Sequence, residues 1–234
     1  MELRLSPELV DADIASHYKL DKRVRLENVL PLDQASQLSD YLANKTKYDI
    51  ATFFDQKPAN ISTEELNKWG KDKAQEIQRK INQNAAMGIG YVYGRHKIYT
   101  TGDDNPLTHT IKWLNSEAML EWARRLSGHQ DIVSASAQAT RYVPGNFLTR
   151  HNDINEQEQR RVAYVLSFNQ DWHPDWGGLL QFYEANGTPR DAWSPGFNTL
   201  SLFDVSHIHS VTYITQFAPK PRFSITGWFR AAPL

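Results

Sequence analysis

The sequence predicts an α+β fold in which helices from the N-terminal half cover one face of a β-sheet from the C-terminal half. Up to about Gly128, apolar residues recur at helical spacing beside helix-capping residues. After it, short aromatic and β-branched segments alternate with Gly, Pro, Asn and Asp, which is typical of a sandwich or barrel. The 234 residues suit one core. We therefore expect a single domain over 1–234, with helical support over about 1–130 and a β-rich core over about 131–234.

The clearest predicted helix runs from Thr63 to Ala86. Ser62 and Glu65 have the spacing of a capping box, in which each side chain accepts a hydrogen bond from the other residue's backbone amide. Apolar residues then recur about every 3.6 positions from Leu66 to Ile81, on a segment that is otherwise charged. We expect this apolar stripe to lie on a sheet.

The other predicted elements are shorter. Helices fit Asp33–Asn44 and Ser116–Ser127, the second with Asn115 as its N-cap, and the alternating segment Gly90–Tyr99 fits a strand. A series of strand candidates follows Asp131, each ended by a turn residue: Val133–Tyr142, Phe147–His151, Arg161–Phe168, Leu179–Tyr183, Thr199–Phe203, His209–Ile214 and Arg222–Phe229.

Composition excludes several classes of protein. The chain has no cysteine, which rules out disulfide scaffolds, thiolate metal sites and cysteine nucleophiles. Its formal net charge of −1 gives no overall field that would attract nucleic acid, which disfavours a nucleic-acid partner. No apolar run approaches the roughly 18 residues that span a bilayer. We therefore expect a cytoplasmic protein without a membrane partner.

The segment His151-Asn152-Asp153 carries the strongest chemical signal. On an extended strand, residues two apart project to one face, so the imidazole and the carboxylate converge while Asn152 points away. A third ligand would complete a metal site, and both His207 and His209 are candidates on a later strand. Two histidines and one carboxylate on one face of an octahedron are the ligand set of non-haem Fe(II) oxygenases.

Five sequence blocks resemble, in order, the strands of the 2-oxoglutarate- and Fe(II)-dependent prolyl hydroxylases. The resemblance covers roughly residues 131–230 and is greatest to the branch that hydroxylates a ribosomal protein. The blocks are RYVPGNFLTRHND (141–153), RRVAYVLSFN (160–169), WGGLLQFY (176–183), FDVSHIHSV (203–211) and RFSITGWF (222–229).

The resemblance implies a double-stranded β-helix, or jelly-roll, core and a set of site residues. His151, Asp153 and His209 match the iron ligands, with His209 favoured over His207 by the Ser-Val that follows it. Arg222 matches the residue that pairs with the distal carboxylate of 2-oxoglutarate. The implied cofactors are Fe(II), 2-oxoglutarate and O₂, with stimulation by ascorbate. The implied reaction hydroxylates a prolyl residue of a protein or peptide and releases succinate and CO₂.

One position departs from the family pattern. Ser167 stands where related hydroxylases often have a tyrosine that helps to hold the distal carboxylate of 2-oxoglutarate. A different donor, or water, must then complete that pocket, and Tyr142 and Tyr164 are candidates for this cosubstrate-binding role. Asp153 is present where halogenating relatives have a small residue, which favours hydroxylation.

Three other functions stay open at this point. A dioxygenase of the same kind could hydroxylate a free amino acid or another small metabolite. A jelly-roll module could bind a ligand without turnover. A zinc hydrolase could use the same three ligands, although it would leave Arg222 without a role.

Overall fold

The structure is a computed structural model that describes residues 2–10 and 13–234. Its helices are α1 (Pro7–Val10), α2 (Ile14–Asp21), α3 (Leu32–Asn44), α4 (Thr63–Asn67), α5 (Lys71–Ala86), α6 (Pro106–Leu114) and α7 (Glu117–Ser127). Its strands are β1 (Arg23–Glu27), β2 (Asp49–Phe54), β3 (Lys57–Ile61), β4 (Tyr91–Ile98), β5 (Ser134–Tyr142), β6 (Phe147–His151), β7 (Arg160–Phe168), β8 (Leu180–Tyr183), β9 (Pro189–Trp193), β10 (Phe197–Asp204), β11 (Ile208–Val211) and β12 (Arg222–Arg230).

The strands form one curled antiparallel sheet. Their hydrogen-bonded order is β1-β10-β7-β12-β5-β4-β6-β11-β8-β9, and the β2–β3 hairpin joins the sheet at β4. The sheet curls until β8 packs over β7 and β10 through Phe182, Ala163 and Phe203. This is a jelly-roll core, so the predicted fold class is confirmed.

The helices cover one face of this sheet, as expected. Helix α3 packs on β12, β10 and β7, while α6 packs on β5 and β4. The core between the two layers contains aliphatic and aromatic side chains such as Leu38, Ile111, Leu166 and Ile225, which are almost completely buried. None of the helices in the described part of the chain is both long and apolar enough to cross a lipid bilayer.

The long helix predicted over Thr63–Ala86 is in fact two helices, α4 and α5. Ser62 accepts the predicted capping bond from a backbone amide, but Gly70 is extended (φ −73°, ψ 166°) and begins a new helix. Glycine favours such a break because it loses more conformational entropy in a helix than other residues do. The apolar stripe does reach the sheet, but only at its C-terminal end, where Ile81 packs with Val92 and Phe147.

Asn115 does not cap α7, contrary to the prediction. It ends α6, and its side-chain amide exchanges hydrogen bonds with the backbone of Ala135 on β5. The cap is Ser116, whose hydroxyl accepts from the backbone amide of Met119. Helix α6 was missed, although Asn105 followed by Pro106 is an N-cap and a first-turn proline.

The N-terminal region is also more than helical support. It supplies β1 to β4, and β4 pairs with both β5 and β6 in the interior of the sheet. The predicted strand His209–Ile214 is shorter than expected, since β11 ends at Val211. Strands β1, β2, β3 and β9 were not predicted. Short segments such as β1 and β9 have mixed polar and apolar character without clear alternation.

Candidate metal centre and anion pocket

Three side chains meet where β6 and β11 lie side by side. His151 ends β6 and is directly paired with His209 on β11, while Asp153 follows two residues after His151. The Oδ1 atom of Asp153 lies 3.6 Å from Nε2 of His151, and its Oδ2 atom lies 3.5 Å from Nε2 of His209. One ligand atom from each residue falls within 4.8 Å of the others. The predicted convergence of these three residues is confirmed.

Backbone hydrogen bonds orient both imidazoles for coordination. Nδ1 of His151 donates to the carbonyl of Thr149, and Nδ1 of His209 donates to the carbonyl of His207, each at 2.9 Å. A carbonyl oxygen can only accept, so each Nδ1 carries a proton. Nε2 of each ring is thereby left to face Asp153, which is the tautomer and orientation that metal-binding histidines need.

The charges of the site favour a bound cation. Burial alone would raise the pKa of Asp153, but the hydrogen bond with His151 and the nearby imidazoles lower it to about 2, so the carboxylate is ionised at neutral pH. Burial lowers the pKa of His209 to about 4, which keeps that ring neutral. Burial also opposes charge on His151, but the bond to Asp153 outweighs it and raises the pKa of His151. Two imidazole nitrogens and a carboxylate oxygen suit Fe(II) and also zinc.

His207, the alternative third ligand, lies outside this cluster. Its Nε2 donates to the backbone carbonyl of Asp21, 2.8 Å away, and its ring packs edge-on against Phe182. His207 precedes β11 instead of lying on it, so the two-residue spacing does not place it on the same face as His209. The preference for His209 agrees with this geometry.

Arg222 is a buried cation that has no carboxylate partner among the described residues. The side chain is 2% exposed, and its guanidinium donates one bond, from Nη1 to the hydroxyl of Ser224 at 3.2 Å. Its Nε is buried and bonds to none of the described residues. Burial lowers the pKa of Arg222, yet a guanidinium keeps its charge in proteins. Because an unpaired buried charge is costly, the pocket around Arg222 fits a ligand with an anionic group.

Of the two tyrosines, Tyr142 lies beside Arg222 and Tyr164 does not. The Arg222 guanidinium carbon is 5.2 Å from the centre of the Tyr142 ring, which stacks on Tyr93. Tyr164 packs in the core beneath the helices, and its hydroxyl donates to the carbonyl of Ser136. Tyr164 nevertheless lines the same cavity as Arg222 and the candidate ligands. For both tyrosines the cosubstrate-binding role stays a prediction.

One cavity of about 280 Å³ connects these groups. The three candidate ligands, Arg222, Tyr142 and Tyr164 line it, together with apolar side chains (Leu148, Leu180, Phe203 and Val211) and polar ones such as Gln138 and Thr140. The volume lies at the small end of the range for ligand pockets, of roughly 300–1,000 Å³. It suits a small dicarboxylate together with a single side chain of a larger substrate.

Two further residues of this cavity were not predicted. The guanidinium of Arg160 lies flat against Trp228, with 3.5 Å from its carbon to the ring centre, and its Nη1 is 3.9 Å from Oδ1 of Asp153. Strand alternation could have found Trp228, because it lies six residues after Arg222 on the same strand and so shares its face. Arg160 had no comparable signal, since it precedes the predicted start of its strand.

Comparison with known proteins relates the C-terminal part of the chain to a known family. A sequence model described as the 2OG-Fe(II) oxygenase superfamily matches residues 137–230. Prolyl 3-hydroxylase OGFOD1 of Mus musculus is 28% identical over 131 residues, a match that covers 53% of this chain and 24% of the relative. The chain thus spans about a quarter of the length of this curated relative.

Solved structures share the whole fold. A prolyl-4-hydroxylase of Pseudomonas putida superposes with a TM-score of 0.60 at 18% identity, covering 98% of each chain. A prolyl hydroxylase of Trichoplax adhaerens, in complex with a peptide of hypoxia inducible factor, superposes with a TM-score of 0.64 at 18% identity, covering 96% of this chain and 90% of the other. The candidate ligands and Arg222 all lie inside the segment that the family model matches, so this part of the chain is similar to the 2OG-Fe(II) oxygenase superfamily.

Proposed function

We propose that this protein is an Fe(II)- and 2-oxoglutarate-dependent dioxygenase that hydroxylates a prolyl residue of a protein or peptide. One observation carries the proposal: an unpaired buried cation, Arg222, lines the same small cavity as a His-Asp-His set. A zinc hydrolase would need the three ligands but would have no use for a buried arginine without a partner. A dioxygenase that binds a dicarboxylate needs both.

His151, Asp153 and His209 would hold the metal through the two Nε2 atoms and the carboxylate. Asp153 would neutralise one of the two positive charges, and the carbonyls of Thr149 and His207 keep the rings in the required orientation. When bound, Fe(II) with 2-oxoglutarate and O₂ supplies oxidative decarboxylation coupled to hydroxylation of a C–H bond, giving succinate and CO₂.

Arg222 would fix the far carboxylate of 2-oxoglutarate. Its planar guanidinium can donate two parallel hydrogen bonds to one carboxylate, and the orphaned Nε is available for one of them. Burial raises the pKa of Tyr142 well above its ordinary value, so its hydroxyl keeps its proton as a possible donor. The apolar wall formed by Leu148, Leu180 and Val211 keeps water from competing for these bonds.

The substrate would approach from the side of His151. Its side chain is 31% exposed, against 8% for Asp153 and 6% for His209, so the cluster is open to solvent there. Trp228 and Arg160 lie on this side of the cavity and offer an apolar ring and a cation to an arriving peptide. A protein or peptide substrate is supported by the relatives, one of which is named as a prolyl 3-hydroxylase and another as a complex with a peptide.

Succinate formation tests the reaction class. Purified protein with Fe(II), ascorbate and 2-oxoglutarate should produce succinate, and a proline-containing protein substrate from a proteome extract should gain the mass of one oxygen atom. Asp153→Ala should abolish both. A gain of oxygen only on free amino acids or other metabolites would replace the prolyl substrate by a small one. Absence of 2-oxoglutarate binding by the Fe(II)-loaded protein would overturn the dioxygenase itself.

A further inference from the structure

We propose that the N-terminal corner between α2 and β1 positions two of the three metal ligands. The corner, Asp21–Lys22, and the turn between β10 and β11, Asp204–His207, together form what we call the ligand bracket. The proposal rests on the proposed function, because it concerns the same metal centre. It gives the N-terminal region a role in the site that nothing in the family resemblance indicates.

The turn of the ligand bracket contacts both ligands through backbone carbonyls. The carbonyl of Val205 accepts a 2.9 Å bond from the backbone amide of Asp153, and the carbonyl of His207 accepts the 2.9 Å bond from Nδ1 of His209. The first bond fixes the backbone position of Asp153, from which its carboxylate extends. The second bond fixes the orientation of the His209 imidazole. A shift of this turn would therefore move Asp153 and His209 together.

The corner in turn fixes the turn by two hydrogen bonds. The backbone amide of Asp204 donates to the carbonyl of Lys22 at 2.9 Å, and Nε2 of His207 donates to the carbonyl of Asp21 at 2.8 Å. Lys22 has a left-handed backbone (φ 50°) that ends α2 and directs these two carbonyls out of the helix. His207 is thus bonded at both ends, its side chain to the corner and its carbonyl to a metal ligand.

Other contacts make the corner rigid enough for this role. The guanidinium of Arg23 bonds to the side chain of Asp21 at 2.6 Å and lies 4.5 Å above the ring of Phe182. Phe182 packs against Phe203, whose ring meets that of His209 edge-on at 4.6 Å between centres. The corner is therefore connected to His209 in two ways: by hydrogen bonds through His207, and by packing that runs from Arg23 through the rings of Phe182 and Phe203.

His207 is in this view a positioning residue, since it acts on the metal through His209. Residues that orient a ligand in this way typically change metal affinity by about 10- to 100-fold when they are replaced. Linkage also works in reverse: a metal that requires the ordered turn must stabilise the contact between turn and corner by the same free energy. Metal binding should then stabilise the hydrogen bonds that the turn makes to residues 21–22, which are far from the site in sequence.

Metal titration of three variants tests the proposal. His207→Phe keeps a ring against Phe182 but removes the donor, and His207→Gln restores an N–H near the position of Nε2. His17→Phe is the matched control, because His17 also bonds to a backbone carbonyl, that of Asp13, but lies on the exposed side of α2 away from the turn. We expect His207→Phe to weaken Co(II) binding about tenfold and to alter the Co(II) ligand-field spectrum. His207→Gln should recover most of the affinity, and His17→Phe should bind as the wild type does.

Hydrogen exchange and thermal unfolding provide the second readout. Adding Co(II) to the wild-type protein should slow exchange of the Asp204 amide, which donates to the corner, and this protection should shrink in His207→Phe. A variant with a lowered melting temperature in the metal-free state but unchanged Co(II) affinity and protection would overturn the proposal, since His207 would then be only structural. If the wild-type protein itself binds no Co(II) at His151, Asp153 and His209, the proposed function fails instead.

Discussion

The two faces of β12 consist of alternate residues of one strand, yet they serve opposite purposes. Phe223, Ile225 and Phe229 face the helices and belong to the main core. Arg222 and the residues two, four and six positions later face the cavity, where they are polar or amphipathic: Ser224, Thr226 and Trp228. Both faces are largely buried, so burial alone does not distinguish them. Their difference is chemical, because one face is satisfied by its neighbours and the other is not.

On this strand, unsatisfied polar groups distinguish the cavity face better than burial does. On the cavity side, Nε of Arg222 and Nε1 of Trp228 are buried without a hydrogen-bond partner among the described residues, as are seven side-chain atoms elsewhere. Each such group costs roughly 1–3 kcal/mol when it is left unpaired. At Arg222, a bound anionic ligand would relieve that cost. The helix side of the same strand carries no such groups, since its side chains there are apolar.

The largest effect is expected when a candidate metal-ligating side chain of the cavity is removed. Asp153→Ala should weaken Fe(II) or Co(II) binding by more than about 100-fold, which exceeds the usual effect of losing a supporting partner. Turnover should fall to background, while the melting temperature of the metal-free protein should not drop. The control is Asn152→Ala, whose side chain is exposed beside the ligand pair. Metal titration and succinate release measure both, and an active Asp153→Ala protein would refute the assignment.

Replacing the buried cation should separate stability from function. Arg222→Met should cost about 2–5 kcal/mol of 2-oxoglutarate binding, at least about 30-fold in Kd, because the ligand's carboxylate loses its charged partner. The free energy of unfolding without ligand should stay the same or rise, since a well-packed apolar chain often replaces an unpaired buried charge without loss. Calorimetric titration and denaturant unfolding give the two numbers. Arg230→Met, at the other end of β12, should leave 2-oxoglutarate affinity unchanged.

The helix side of the strand should respond in the opposite way. Ile225 is 0% exposed, and Ile225→Ala should lower the free energy of unfolding by about 2–5 kcal/mol, since it leaves a cavity in the core. Turnover per folded molecule should remain near the wild-type value. Denaturant unfolding and activity at low temperature measure these quantities. Val133→Ala, at an exposed position, should change stability by less than about 0.5 kcal/mol. Lost turnover in a stable Ile225→Ala protein would contradict the division between the faces.

A surface ion pair gives the smallest expected effect. The hydrogen bond from Arg161 lowers the pKa of Asp131, and the two side chains meet at 2.7 Å with half of Asp131 exposed. Because the folded-state pKa lies below the ordinary 3.8, the stabilisation exists above that pH and disappears as pH falls through the folded-state value. Asp131→Asn should cost less than about 1 kcal/mol at pH 7, and the difference should vanish in acid. A cost that persists in acid would exclude this electrostatic origin.

The sequence was sufficient for the parts of the site that lie close together along the chain. The spacing of His151 and Asp153 on a strand predicted their convergence, and the order of the strand blocks supported His209 and Arg222. Tyr164 shares its face of β7 with Val162 and Leu166 of the main core, yet it also lines the cavity, so alternation alone does not decide its role.

Contacts between distant segments could not be predicted in this way. The bond from His207 to the carbonyl of Asp21 joins residues 186 positions apart, and it depends on a backbone carbonyl, which every residue has. The contact of Arg160 with Trp228, 68 residues apart along the chain, likewise follows from the pairing of β7 with β12 and from no local pattern. Secondary structure with strong local signals was recovered, but short strands such as β1 and β9 depend on their partners and were missed.

The position of β4 has a consequence for how the protein folds. This strand lies between β5 and β6, which do not pair with each other, so it joins the part of the sheet that carries Arg222 to the part that carries His151 and His209. It lies outside residues 137–230, the segment that the family model matches. The family segment alone would therefore leave two unpaired edges in the middle of its sheet. Together with the pairing of β1 to β10, this makes the native contacts strongly non-local, which predicts slow folding that begins only after most of the chain has been synthesised.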